Sequence, residues 1–342
     1  MTTTYNNLLC FSLFLILFSG GGITTASSRK TCKPAFYQFF IKVYSNCTIE
    51  KLVKYDPIPP SLDNETQVQS SDLILHLKSN LTGRLYRPSN ITAGQRVPIL
   101  IYFHGGGFMT GSPFNRNAQS QLFRISSIGK IVVLSVDYVL APEHKIPIPY
   151  RSGDKALKWL AMHAAGKADD NEKWVDDVVD FNRVFIGGQS SGGNIAYNVA
   201  MRLQQNKRKG IEFAGLILMD PYILTADPSP ALERIPENFR RNITGLWTYV
   251  CPKSTGVNDT RVNPSLETKL GVLKPGKVLF CVGERDPLID GSISFYNVLL
   301  KNNIKTEFYK TMGRGHAFDN MFPDIAESFE MYQKIDSFIR SA

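Results

Sequence analysis

A chain of 342 residues, 43% hydrophobic and 20% charged, can bury the core of one large α/β domain or two small ones and is too apolar for a disordered protein. Its 26 glycines and 19 prolines are near average usage, which excludes a collagen-like or low-complexity protein. Lys and Arg exceed Asp and Glu by 39 to 30, but the excess is dispersed. The densest run, Lys207-Arg208-Lys209, reads as a solvated helix end, so no nucleic-acid partner is expected.

The first 28 residues carry no charge, and Leu8 to Phe18 is an apolar run of eleven broken only by Ser12. That run is too short for a membrane span and suits the h-region of a signal peptide. Thr24-Thr25-Ala26 offers an A-x-A-like cleavage site, so residues 1–26 are read as the signal and 27–342 as the mature domain, with no stable membrane insertion afterwards. Met1 to Asn7 lacks the usual Lys or Arg, which leaves an uncleaved anchor in the endoplasmic reticulum as the alternative. Six sequons, headed by Asn46, Asn64, Asn80, Asn90, Asn242 and Asn258, exceed chance expectation and favour the secretory pathway, ending outside the cell or in the vacuole. The C-terminus carries no KDEL-type signal. Cys32 and Cys47 lie in a short polar segment where a disulfide is useful in an oxidising compartment. Cys281, inside an apolar run, reads as an inert core thiol, and no cysteine spacing matches a metal site.

Along the mature chain, Leu73-Ile74-Leu75 and Arg84-Leu85-Tyr86 predict a leading hairpin. Strands follow at Ile99–Phe103, Ile131–Val136, Val184–Ile186, Leu216–Met219, Val278–Val282 and Thr306–Tyr309. Their near-continuous apolar character fits a parallel sheet buried on both faces. Helical periodicity at 118–125, 153–165, 193–205, 292–300 and 325–339 alternates with them, which predicts a doubly wound sheet with helices on both faces. The interval 222–262, rich in proline, arginine and aromatics, breaks the rhythm; with residues 32–70 it is expected to form a small cap.

Three places carry chemistry. Gly188-Gln189-Ser190-Ser191-Gly192 is a G-x-S-x-G turn between a strand and a helix, and only Ser190 has glycine on both sides at two residues' distance. A phosphate-binding loop is the competing reading of these glycines, but no lysine follows. Upstream, Ile99–Phe103 runs into His104-Gly105-Gly106-Gly107, where bare backbone N–H groups can meet a developing oxyanion. The third place is the only histidine after Ser190, His316, in Gly313-Arg314-Gly315-His316. Asp286 stands between them after an apolar strand, giving the order serine, aspartate, histidine; Asp290 is expected to cap the helix that starts near Ser292.

On these motifs, with Asp137-Tyr138-Val139-Leu140-Ala141-Pro142-Glu143-His144, the sequence from about residue 36 onward resembles the plant carboxylesterase branch of the hormone-sensitive-lipase-like α/β-hydrolases. The resemblance implies a Ser190–Asp286–His316 triad and an oxyanion hole of Gly106, Gly107 and Ser191 N–H groups, with Gly105 shaping the loop. It implies a small or medium carboxylic ester as substrate, from specialised metabolism, and no cofactor or metal. Phe108, Phe114 and Trp247 are expected to line the apolar pocket. Gln189 stands where the family usually has Asp, and Val139 where it has Arg. Family likeness also leaves two other readings: a lyase or cyclase using the same site, and a hormone-receptor-like binder, against which the intact His316 argues.

Overall fold

The computed structural model describes residues 34–342 apart from 39, 40, 45, 47 and 170. The expected signal peptide and both Cys32 and Cys47 lie outside the described residues.

Twelve strands and nine α-helices are found among the described residues. Strands β1 (Pro34–Gln38), β2 (Ile41–Tyr44) and β3 (Ile49–Lys51) pair antiparallel in a small sheet of their own. The main sheet begins with β4 (Leu62–Asp63) and a long antiparallel hairpin, β5 (Val68–His76) and β6 (Leu81–Pro88), as the sequence predicted. Next come β7 (Val97–Phe103), β8 (Val132–Val136), β9 (Val179–Gln189), β10 (Phe213–Met219), β11 (Lys277–Gly283) and β12 (Thr306–Thr311). The nine strands lie in the order β12-β11-β10-β9-β7-β8-β6-β5-β4, and every pairing from β8 through β7 to β12 is parallel.

Strand periodicity sorts the core into two layers. Ile99, Ile101 and Phe103 of β7 point to one face, and Leu100 and Tyr102 to the other. The first face is covered by α2 (Ile148–Ala164), α4 (Ser191–Gln205) and α7 (Ile289–Lys301), through residues such as Leu157, Val199 and Phe295. The second is covered by α1 (Arg116–Gly129) and α9 (Ala326–Arg340), through Leu122, Met331 and Phe338. Each such side chain, fully removed from water, contributes roughly 1.5–3 kcal/mol before entropy is counted.

Shorter helices are α3 (Trp174–Val178), α5 (Pro230–Glu233) and α8 (Phe318–Met321). The 222–262 interval carries α5 and the longer α6 (Glu237–Val250), whose Leu246, Trp247 and Val250 enter the first-face core. Asp290 does not cap α7 as expected. That helix begins one residue earlier, and the Asp290 carboxylate accepts from the Ser229 hydroxyl and the Ala231 N–H, both 2.8 Å away, so it holds the start of α5.

Arg84, fully buried in β6, fastens the N-terminal segment to this body. Its guanidinium pairs with Asp72 of β5, donates to the Ile58 carbonyl at 2.8 Å and to the Gln119 side chain of α1, and lies 5.1 Å from the Phe114 ring centre. Phe114, half-buried, thus has the Arg84 guanidinium against its ring.

Candidate active site

Every parallel strand of interest delivers its loop to the same edge of the sheet, the carboxyl edge where open α/β sheets place ligands. β7 ends at His104, β9 at Ser190, β10 at Asp220, β11 leads to Asp286 and β12 to His316.

Ser190 occupies the left-handed region, φ 56° and ψ −122°, between the last residue of β9 and the first of α4. A non-glycine residue stays there only if its surroundings over-determine it. Here its N–H donates to the Met219 carbonyl at 2.9 Å and its own carbonyl accepts from Tyr222 N–H at 2.7 Å. The flanking glycines are demanded by space. A Cβ on Gly188 would stand 2.5 Å from the Gly192 carbonyl, and one on Gly192 would collide with the carbonyl oxygens of Phe103 and His104.

The Ser190 Oγ lies 2.9 Å from His316 Nε2. On the other side of the ring, Nδ1 is 3.0 Å from Asp286 Oδ2, a close ion-pair contact in which the N–H is turned off the line to the oxygen. Asp286 is fully buried, and its Oδ1 accepts from Leu288 N–H at 2.9 Å, which fixes the carboxylate. Burial opposes charge on His316. The Asp286 carboxylate, with Asp220 and Asp319 beyond it, outweighs burial and holds the imidazole up at about 9. The three residues singled out from sequence thus meet in one chain of contacts.

The glycine loop lies against the nucleophile: a Cβ on Gly105 would come within 3.4 Å of Ser190 Cβ. Gly106 and Gly107 have φ of 116° and 60°, and Met109 and Thr110 N–H fold back onto the Gly106 carbonyl. Among the described residues no group accepts from the N–H of Gly106, Gly107 or Ser191, which leaves three donors beside Ser190. His104 is not a titrating partner. Its ring is buried, stacks at 4.3 Å on Tyr138 and meets the Gly105 carbonyl through Nδ1 at 2.7 Å, and burial pushes its pKa down to about 4. Tyr138 in turn donates to the His104 carbonyl, and Ala141 N–H to the Phe108 carbonyl, so the Asp137–His144 stretch braces the glycine loop.

Sequence reasoning missed two buried carboxylates. Asp319 of α8 accepts from Gln189 Nε2 at 2.7 Å and from Gln121 Nε2 at 2.5 Å, with its pKa raised by burial to about 6. This explains Gln189: an aspartate there would set a second carboxylate against Asp319, whereas the amide supplies a donor. The other is Asp220, in Met219-Asp220-Pro221, where an acid at a strand end before proline was the available signal. Asp220, Asp286 and His316 hold their polar atoms within 4.8 Å of one another. Phe108 and Trp247 do meet, with ring centres 6.2 Å apart and Tyr222 beside Phe108, but all three are buried in the core.

The comparisons with known proteins decide the family. The α/beta hydrolase fold family matches residues 100–320. The Arabidopsis thaliana protein named Probable carboxylesterase 2 is 32% identical over 304 residues, covering 88% of this chain and 94% of that protein. The chain belongs to the plant carboxylesterase family of α/β-hydrolases. A second relative of this hydrolase, the 2-hydroxyisoflavanone dehydratase of Glycyrrhiza echinata, is 30% identical over 308 residues, covering 87% of this chain and 94% of that one. Among solved structures, a thermostable carboxylesterase cloned from a metagenomic library is 25% identical with a TM-score of 0.67, covering 80% of this chain and 88% of its own. The hyperthermophilic esterase of Pyrobaculum calidifontis matches the fold at 24% identity and a TM-score of 0.65, over 80% and 85% of the two chains.

Of the remaining residues singled out from sequence, Asn46, Asn64, Asn80, Asn90 and Asn258 are exposed and Asn242 is half-buried. Cys251 and Cys281 are free and buried, and burial raises both thiol pKa values. No helix among the described residues is long and apolar enough to cross a membrane.

Proposed function

We propose that this carboxylesterase hydrolyses a small or medium ester of specialised metabolism through an acyl-enzyme on Ser190. The observation that carries the reading is the Ser190–His316–Asp286 chain of contacts beside three unengaged backbone donors. His316 Nε2 takes the Ser190 proton as Oγ attacks the acyl carbon, and the N–H groups of Gly106, Gly107 and Ser191 meet the oxyanion. Collapse breaks the ester C–O bond, and the imidazolium returns the proton to the departing alcohol. Water then repeats the sequence on the acyl-serine. Of the expected cap, about residues 32–70 and 222–262, the stretch from Leu62 onward belongs instead to β4 and β5 of the main sheet. The described residues ahead of it and the 222–262 interval act as the cap that selects the ester. A fluorophosphonate probe should label Ser190, and esters of graded acyl length should show a preferred size. Absence of label from folded, ester-cleaving protein would remove the acyl-enzyme step.

A rise of kcat/KM with pH is expected, because His316 acts only when neutral. The limb should lie above 6.5, toward about 9. The same raised pKa makes the Asp286–His316 ion pair stabilising below about 6.5, and that stabilisation is lost as pH climbs through about 9. A limb below 6.5 would show that the surrounding carboxylates do not reach the ring as charges.

The dehydratase relative favours a second reading, elimination or cyclisation using His316 and the oxyanion donors without Ser190 as nucleophile. Loss of ester hydrolysis in Ser190→Ala with retained elimination activity would select it.

We further propose passage through the secretory pathway, with loss of residues 1–26 and N-glycans on several exposed sequons. Glycosidase treatment of plant-expressed protein should collapse a mass ladder to one band; an unshifted band beginning at Met1 is the contrary result. A Cys32–Cys47 disulfide, closing a loop of about 15 residues, would stabilise by roughly 3 kcal/mol. Non-reducing peptide mapping should recover the linked pair, and free thiols at both positions would refute it.

A further inference from the structure

Asp220 is a charged residue in a place where charge is costly. It is 1% exposed, and its backbone is left-handed with φ 41°, a conformation that aspartate adopts more readily than most non-glycine residues. It stands at the end of β10, between the strand that carries Ser190 and the strand that leads to Asp286. Its N–H donates to the Cys281 carbonyl of β11 at 2.8 Å. Its Oδ1 accepts from Gly283 N–H at 2.8 Å, and the Gly283 carbonyl in turn accepts from Asp286 N–H at 3.1 Å. Its Oδ2 accepts from Ala317 N–H at 2.8 Å, on the residue that follows His316.

We infer that Asp220 is a positioning residue: its carboxylate clamps the Asp286 loop with one oxygen and the His316 loop with the other, and sets a second negative group behind the imidazole. The inference rests on the Ser190–Asp286–His316 reading. Other bonds join the two loops, Arg285 N–H to the Arg314 carbonyl and Gly313 N–H to Glu284, but those lie toward solvent. Asp220 alone of these groups reaches both loops from the strand beside the nucleophile's own. Burial and the nearby Asp286 push the Asp220 pKa upward, whereas His316 and the hydrogen bond from Gly283 N–H favour the charged carboxylate. The groups facing the ring are Asp286 from the β11 loop, Asp220 from β10, Asp319 from α8 and the Ser190 hydroxyl, with the Cys281 thiol of β11 close to Asp220.

The decisive variant is Asp220→Asn, which keeps the shape but offers one acceptor oxygen for two N–H donors. Loosening of one loop should lower kcat about 10- to 100-fold with KM within about twofold, as expected for a small misplacement of reacting groups. Removing the negative group should also move the acid limb of kcat/KM to lower pH. Unchanged kcat with an unmoved limb overturns the inference, and so does an equal rise in KM with an unmoved limb, which marks general loosening only. If Asp220→Asn does not fold, the wild-type amide resonances of Gly283 and Ala317 decide. Both should shift across the pH range where His316 titrates, and two static amides overturn the clamp. Fluorophosphonate labelling of wild-type Ser190 separates the two levels. Labelled wild type with an indifferent Asp220→Asn ends only the role of Asp220, whereas an unlabelled Ser190 ends the triad reading beneath it.

Discussion

Asp286→Asn should lower kcat by about 10⁴ while leaving the fold intact, because the amide favours the wrong imidazole tautomer. The substituted side chain keeps an oxygen to accept from Leu288 N–H, so the geometry of the loop survives and the loss reads the chemistry. Ser190→Ala and His316→Ala should each remove most turnover, leaving the residual rate that binding and the oxyanion donors supply. Asp290→Asn is the internal contrast. Its carboxylate holds Ser229 and Ala231 at the start of α5, and one remaining oxygen still serves the Ala231 N–H, so activity should change little. Steady-state kinetics on the four variants checks the assignment. A large loss in Asp290→Asn with a small one in Asp286→Asn would transfer the acid's role.

Gly106→Ala should cost about 10²–10³ in kcat, the magnitude typical of losing one oxyanion donor. At φ 116° alanine is strained, and its methyl group would collide with the Thr110 carbonyl oxygen, so the loop must shift away from Ser190. Gly94→Ala is the control, since Gly94 also has positive φ but nothing lies within 4 Å of the new methyl. It should lose about 1 kcal/mol of stability with kcat unchanged. Equal kcat losses in the two variants would mean that backbone strain, not donor placement, is being read.

The order of serine, aspartate and histidine was legible because each sits just beyond a strand, β9, β11 and β12 in turn, at the same sheet edge, and apolar runs mark those strands. The glycines were legible for an equally local reason, since tight turns allow no Cβ whatever the distant structure does. Asp220 and Asp319 were not. The meaning of a buried carboxylate depends on which loops arrive to hydrogen-bond it, and those donors come from 63 to 198 residues away in the chain. Gln189 read as a departure from the family until its partner, 130 residues on, was in place. Asp290 was misassigned because α7 starts at Ile289, and local capping rules carry no information about α5, whose Ser229 lies 61 residues upstream. The Arg84 guanidinium over the Phe114 ring was not legible either, because nothing local announces it.

That guanidinium also limits how far the chain can be shortened from its N-terminal side. A truncation that ends ahead of Ile58 keeps every partner of Arg84. Trimming beyond Ile58 would strip a carbonyl from a fully buried cation and leave the donor without water to replace it. The stretch around Ile58 is thus structurally part of the hydrolase body, and shortening the chain from its N-terminal side should leave the fold standing only while Ile58 remains.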